Sequence, residues 1–318
     1  MLVPADAGVP VITEEVRAVR PPALRRVLAH TQPYLYLVPA MVGVAVWIYW
    51  PILRTLRLST VQWNLLPTTP QRDVGLDNYR DVLALEEMRT AVWNTVKYTV
   101  GLLPFSVILP LAIALMLAEL TGRSRNVYRV AIFVPVLMAP VVVAVVWRWM
   151  LHPTNGVVSD VLATFGMTSP NWFRDETLAL WTIVGITGWK LVGFSVLIFA
   201  AGIAGLDRDV HDAARMDGAT RWQTIRHVTL PLLSPTTMFM VLLTLLLSAQ
   251  WTFPLVNVLT DGGPLDSTTN VYHLLWKFGF RNFNVGFSSA AAVIFFVAFG
   301  AFALVCVRVI DRFSFYDS

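Results

Sequence analysis

Six apolar runs, each about 20 residues or longer and free of acidic residues, divide this sequence. They cover residues 34–53, 98–118, 130–151, 178–206, 236–255 and 285–307. A helix needs about 20 residues to cross the hydrocarbon core of a bilayer, so each run is long enough to span a membrane. The chain is 56% hydrophobic and 14% charged, which leaves too little polar surface for a soluble globule of 318 residues. The sequence therefore predicts an all-α integral membrane protein with six transmembrane helices.

Positive charges between the runs indicate the orientation of the chain. An even number of spans places both termini on one side, and arginine-rich loops favour the cytoplasm. The short loop at residues 119–129 carries Arg123, Arg125 and Arg129, and the other segments on its side are also rich in arginine. We therefore expect a cytoplasmic tail at residues 1–33, a retained first helix and a cytoplasmic C-terminus.

The remaining composition excludes several other roles. The single cysteine, Cys306, permits neither an intrachain disulfide nor a cysteine metal cluster. Lysines and arginines are scattered, without the basic stripe of a nucleic-acid-binding protein. The five histidines occur in no metal-ligating or catalytic pattern: His30, His152, His211, His227 and His273. Catalysis by this chain is therefore the weakest hypothesis.

A polar segment at residues 207–235 separates the fourth and fifth runs. The stretch at residues 207–216 begins with acidic residues, as is typical of a helix N-terminus, and small apolar residues recur on one of its faces. Gly218 permits a turn that a residue with a Cβ would strain, and Pro231 and Pro235 break the helix that follows. The pattern predicts a helix–turn–helix unit on the cytoplasmic face. It fits either a protein-docking surface or an amphipathic loop that rests on lipid headgroups.

This segment resembles the EAA loop of the permease subunits of bacterial ABC importers. In that family an acidic residue and two small residues precede an Asp-Gly-Ala sequence, and a Leu-Pro element ends the loop. The matching positions here are Asp212, Ala213, Ala214, Asp217, Gly218 and Ala219, followed by HVTLPLLSP. Ile225 departs from the carbohydrate branch of the family, which usually has Phe at this position. The resemblance implies that this loop forms a coupling helix seated in a groove of an ATPase.

Four further stretches resemble elements of the maltose and glycerol-3-phosphate branch of this family, in the same order along the chain. They are VGLDNYRDVL at residues 74–83, VWNTVKYTV at 92–100, the third run with its following loop at 133–162, and VLTDGGPLDSTTNVYHLLWKFGF at 258–280. The resemblance implies one permease domain over residues 34–318. Its expected fold is that of a type I ABC importer permease, with the coupling loop at residues 207–235.

The same resemblance implies partners in a bacterial cytoplasmic membrane. In this family a second, non-identical permease completes the pathway, a pair of cytoplasmic ATPases drives it, and an external binding protein delivers the solute. The sequence lacks the Gly-x-x-x-x-Gly-Lys-Ser/Thr loop that cradles nucleotide phosphates. We therefore expect no ATPase activity and no bound cofactor in this chain, with ATP and Mg²⁺ held by the partner ATPase.

Two parts of the sequence supply candidates for the solute pathway. Lys190 lies about 12 residues into the fourth run, roughly 18 Å from its outer end, so its charge must face the bundle interior or water. It is either a structural partner of a carboxylate or helix end, or a solute contact. Polar and aromatic groups suited to sugars recur at and beyond the outer end of the fifth run, at Gln250, Trp251, Asn257, Thr260, Asp261 and Trp276. The two tryptophans are equally typical of a membrane-interface belt.

Three classes of function fit a chain of this kind. The preferred one is an ABC importer permease for a neutral sugar or related polyol, and the resemblance also covers permeases for glycerol-3-phosphate and its diesters. A secondary transporter driven by an ion gradient would need carboxylates inside its spans, and the six runs contain none. A membrane-embedded enzyme would need the catalytic pattern that the sequence lacks.

Overall fold

The computed structural model describes residues 34, 36–120 and 122–313, and the expected tail at residues 1–33 lies outside them. The chain divides into two compact units, Met1–Arg54 and Thr55–Ser318. The described part of the first unit is helical, and nearly all its side chains are exposed. The functional elements described below all belong to the second unit.

The described elements are helices, apart from one short antiparallel strand pair in which Val61 lies opposite Asp73. In chain order they are α1 (Tyr36–Leu58), β1 (Val61–Gln62), β2 (Arg72–Asp73), α2 (Asp77–Ala84), α3 (Glu86–Glu119), α4 (Gly122–Leu137), α5 (Pro140–Met150), α6 (Val157–Thr164), α7 (Leu178–Ala204), α8 (Arg208–Met216), α9 (residues 221–232), α10 (Ser234–Thr260), α11 (Val271–Trp276) and α12 (Val285–Phe313). Short π turns occur within α1, α3, α9 and α10, and another follows α11.

Five of the described helices are long and apolar enough to cross a membrane, namely α1, α3, α7, α10 and α12. The sixth candidate is the pair α4 and α5, which bend by 96° relative to each other. The third apolar run, over residues 130–151, therefore forms a bent pair of helices and not one straight helix. Ala139 is extended at ψ 135° because the ring of Pro140 disfavours helical backbone at the preceding residue. The helix that contains the second span begins before the predicted Tyr98, at Glu86.

Helix α7 lies at the centre of the second unit. Its most apolar stretch is 56% buried, the largest share among the five candidate spans, so it packs against other helices rather than lipid. Apolar side chains of α3, α5, α7 and α10 form the main core around Tyr98, Ile183 and Leu255. Gly193 on α7 allows a close approach to α4, since a Cβ there would lie 2.3 Å from the Ile132 carbonyl oxygen.

Two buried hydroxyl pairs join α3 to α10 within the membrane. Thr99 Oγ1 lies 2.5 Å from Ser248 Oγ, and the Thr244 hydroxyl donates to Ser106 Oγ at 2.8 Å. Hydroxyl pairs of this kind associate transmembrane helices, because a lipid-facing hydroxyl would have no partner outside its own helix. They fix the register of α10, which carries several candidate pathway residues.

Candidate functional site

The segment between α7 and α10 forms the helix–turn–helix that the sequence predicts; residues 207–233 are called the coupling unit below. The Asp207 carboxylate caps α8 by accepting from the Asp209 N–H at 2.9 Å. Gly218 follows the helix with φ +76°, a left-handed conformation that favours glycine. Thr220 then starts α9 through a reciprocal capping box with Gln223. The turn geometry inferred for Gly218 is therefore present.

The tip of the coupling unit exposes apolar and small side chains. Met216 is 88% exposed and Trp222 66% exposed, and Val210 and Ala213 on α8 are also exposed. Of the other residues matching the EAA pattern, Asp212, Asp217 and Gly218 are exposed, and Ala214 and Ala219 are half-buried. Exposed apolar side chains grouped at one tip are typical of a surface that contacts another protein or a membrane.

The coupling unit is held by two side-chain contacts that the sequence did not predict. Arg221 at the start of α9 forms an ion pair with Glu119, the last residue of α3. His211 Nε2 lies 3.2 Å from Thr229 Oγ1, which joins α8 to α9. Glu119 and Arg221 are far apart in sequence and separated by five helices, so no local pattern could have paired them. The ion pair links the coupling unit to a membrane-spanning helix other than the two it connects directly.

A cavity of about 370 Å³ lies beside the break between α4 and α5. It brings together three candidate pathway residues, Lys190 on α7 and Gln250 and Trp251 on α10, with Pro140 as part of its wall. Within the described residues, Lys190 forms no ion pair. The neighbouring Thr187 hydroxyl is buried and makes no hydrogen bond to any described group. The cavity therefore offers a cation, an amide, a hydroxyl and an aromatic ring to a polar molecule.

The other candidate pathway residues lie outside this cavity, near the outer end of α10. Asp261 Oδ2 lies 2.5 Å from Arg281 Nη1, and its Oδ1 lies 3.4 Å from His273 Nε2. The Arg281 guanidinium stacks on Trp276 at 5.4 Å. Thr260 Oγ1 lies 2.7 Å from Thr268 Oγ1. These contacts hold the segment after α10 in place, while Asn257 is half-buried on the last turn of α10.

His273 is fully buried within this outer network, with 1% of its side chain exposed. Burial lowers the pKa of its imidazole, and the nearby Lys277 and Arg281 act in the same direction, whereas Asp261 opposes the change through a hydrogen bond and its charge. The neutral imidazole therefore packs beneath the Gly262–Gly263 turn, where a Cβ on Gly262 would lie 2.8 Å from His273 Cε1.

The chain resembles known transport proteins over most of its length. It is 29% identical to a probable ABC transporter permease protein of Brucella suis biovar 1, over 89% of this chain and 97% of that protein. It is 28% identical to the sn-glycerol-3-phosphate transport system permease protein UgpA of Agrobacterium fabrum, over 88% of this chain and 94% of that protein. Both relatives are matched over nearly their full lengths.

The fold agrees with these similarities. A chain in the crystal structure of a bacterial alginate ABC transporter, solved with its alginate pentasaccharide-bound periplasmic protein, superposes with a TM-score of 0.81 at 21% identity. The match covers 92% of this chain and 98% of that one, and confirms the expected type I ABC importer permease fold. The sequence model of one protein family, the binding-protein-dependent transport system inner membrane components, matches residues 106–314. The chain belongs to the family of binding-protein-dependent transport system inner membrane components.

Proposed function

We propose that this ABC importer permease carries a sugar or a related polyol past the Lys190 cavity, and that a partner ATPase drives it through the coupling unit. One observation supports this most directly: the coupling unit joins the two helices that supply Lys190, Gln250 and Trp251. From Lys190 to the end of α7 is about 21 Å, and from the start of α10 to Gln250 about 24 Å, at 1.5 Å per residue. A displacement of the coupling unit therefore acts on both walls of the cavity.

The proposed partners follow from what the chain does not carry. Its sequence has no phosphate-binding loop, so ATP and Mg²⁺ would be bound by a pair of cytoplasmic ATPase subunits. A second, non-identical permease would complete the pathway, and an external binding protein would deliver the solute. The exposed Met216 and Trp222 fit an ATPase groove, because tight docking needs apolar anchors surrounded by polar groups.

The proposed orientation places both termini and Arg123 in the cytoplasm and residues 73–87 outside. The excess of arginine on the inner side supports it. In a Cys306→Ser background, a membrane-impermeant thiol reagent should label Asp77→Cys in intact cells and should not label Ser124→Cys. The opposite labelling pattern would show that the orientation is the reverse of the one proposed.

A second candidate solute is glycerol-3-phosphate or one of its diesters. The similarity to a permease named for sn-glycerol-3-phosphate supports this alternative, as does the cationic Lys190 in the cavity. Measuring which solute binds the cognate external binding protein separates the two candidates. An ion-coupled secondary transporter is not favoured, since within the described spans the acidic residues lie only at helix ends.

The decisive experiment asks whether the coupling unit docks on an ATPase. The purified chain alone should hydrolyse no ATP, and activity should appear only on assembly with the ATPase and the second permease. Asp212→Lys should weaken co-purification of the ATPase by reversing a charge on the docking surface. A segment that rests on anionic lipid would tolerate the added positive charge, so unchanged co-purification and uptake would contradict the proposed role.

A further inference from the structure

A second cavity, of about 580 Å³, lies at the outer ends of the membrane helices and is separate from the Lys190 cavity. Its wall comes from the last turn of α5, the loop after it, the segment before α7 and the end of α10. The residues that carry the argument are Arg148, His152, Asn171, Phe173, Arg174 and Thr260. Its volume lies in the range of about 300–1,000 Å³ that is usual for small-molecule sites. We refer to it as the outer pocket.

The outer pocket carries an uncompensated positive charge. Two of its lining residues are arginines, and none is an aspartate or glutamate. Across the described part of the chain, neither Arg148 nor Arg174 forms an ion pair. The C-terminal dipole of α5 favours a cation at Arg148, but Arg174 is not in a helix and has no such partner.

Two carboxylates adjoin lining residues of the outer pocket in sequence, and both are engaged elsewhere. Glu176, two residues from Arg174, forms no ion pair within the described residues. Asp175 Oδ1 accepts from the Thr177 and Leu178 N–H groups at 2.9 and 2.8 Å, which caps the start of α7. Asp261 is held by Arg281 and His273 on α11 and the turn after it. Neither can neutralise the two arginines without losing these contacts, so the charge remains available to a bound molecule.

His152 adds a hydrogen-bond donor of defined tautomer. Its Nδ1 lies 3.4 and 3.3 Å from the backbone N–H groups of Thr154 and Asn155, which can only donate. Nδ1 is therefore the acceptor, and the proton of the neutral ring is on Nε2. The Asn171 amide and the Phe173 ring complete a lining that combines two guanidinium groups, polar donors and one aromatic surface.

We propose that the outer pocket is an oxyanion-binding site, in which Arg148 and Arg174 together bind one phosphate or carboxylate group of a small molecule. A planar guanidinium presents paired N–H donors that match the geometry of these groups. The proposal goes beyond the importer function, because it assigns a site at the outer mouth whichever solute is carried. A molecule bound at this site would contact Thr260, the last residue of the helix that also supplies Gln250 and Trp251.

Inorganic phosphate is the probe that tests this site in the assembled transporter, reconstituted in nanodiscs. Binding is measured by titration calorimetry at constant ionic strength, with chloride replacing phosphate in the reference. We expect saturable phosphate binding that weakens about tenfold or more in Arg148→Gln/Arg174→Gln. The matched control is Arg89→Gln, which removes an exposed arginine that does not line the outer pocket. It should leave phosphate affinity unchanged.

Three results would overturn the proposal: no phosphate binding to the wild-type complex, equal binding to the double variant, or equal weakening by Arg89→Gln. Reduced affinity for the external binding protein in the double variant, without phosphate binding to the wild type, would instead identify a contact for an acidic protein surface. ATP-driven uptake of the solute is measured in parallel. A transporter that binds phosphate but imports nothing would contradict the proposed function and leave the oxyanion site standing.

Discussion

Replacing Gly218 by valine should reduce uptake while the chain stays folded in the membrane. Gly218 has φ +76°, and a Cβ built there meets no atom within 4 Å, so the cost comes from the backbone alone. A left-handed conformation costs a residue with a Cβ about 1–2 kcal/mol, and valine lies at the upper end because it is β-branched. The chain can relieve this strain by turning differently between α8 and α9.

The expected effect follows from that energy. The turn is held by the Ala219 N–H, which donates to the Ala214 carbonyl oxygen at 3.0 Å, and by the Gly218 N–H, which donates to Arg215 O at 3.0 Å. A strain of about 1–2 kcal/mol lowers the population of this turn relative to alternatives by a factor of about 5–30. Uptake of labelled solute should fall by a similar factor, with normal amounts of the permease in the membrane.

A matched control separates misalignment from general instability. Gly166 has φ +72° and equally open space, but it lies in the loop after α6, away from the coupling unit. Gly166→Val therefore imposes the same backbone strain without re-aiming α8. Gly218→Asn should give an intermediate loss, because asparagine tolerates the left-handed region better than valine. Normal uptake by Gly218→Val, or an equal loss in Gly166→Val, would refute the reasoning.

Three further outcomes are expected. Glu119→Arg and Arg221→Glu should each lower uptake by up to about fivefold, because an exposed ion pair contributes up to about 1 kcal/mol. Uptake that stays low in the double variant Glu119→Arg/Arg221→Glu would contradict this pairing. Lys190→Met should lower solute uptake at unchanged expression, whereas Lys97→Met, which changes a lysine that does not line the cavity, should leave it unchanged. Burial lowers the pKa of His273 below 6.5, so at mildly acidic pH the unfolded chain binds more protons than the folded chain. The melting temperature should therefore fall as pH decreases from about 7.5 to about 5.5. His273→Gln should flatten that dependence, and an unchanged slope would assign the pH effect to other groups.

Length and turn chemistry made much of this fold predictable from the sequence. Apolar runs of about 20 residues have few alternatives to a spanning helix, because lipid offers the backbone no hydrogen-bond partners. Gly218, followed by a Thr220 capping residue, likewise has a local physical meaning that does not depend on distant contacts. Both kinds of feature are determined by neighbours within a few residues.

The break in the third span was harder to predict, because proline alone does not decide it. Pro140 ends up at the first position of α5 after an extended Ala139, whereas Pro135 and Pro254 lie inside continuous helices. Which proline breaks a helix depends on whether neighbouring helices can satisfy or replace the lost backbone hydrogen bond. That information lies in the packing, not in the local sequence.

The set of residues around the Lys190 cavity was only partly predictable for a related reason. Helix α7 is apolar on every side, so its sequence has no polar face to indicate which way Lys190 points. Chemical type and depth indicate seven candidates, and the structure brings three of them, Lys190, Gln250 and Trp251, into one cavity. Rotation of each helix about its axis is set by interhelical contacts such as Gly193 against α4.

The contacts of α3 indicate which helices move together when the coupling unit is displaced. Glu119 at the inner end of α3 pairs with Arg221, and Thr99 and Ser106 along α3 contact Ser248 and Thr244 of α10. The coupling unit, α10 and α3 are therefore connected to one another in three ways. Side-chain contacts join the coupling unit to α3 and α3 to α10, and the polypeptide joins the coupling unit to α10. By contrast, α5 is joined to α4 through an extended residue at a 96° bend beside the Lys190 cavity. A displacement of the coupling unit, which is also continuous with α7, would thus move the α7 and α10 walls of the cavity relative to the side formed by Pro140.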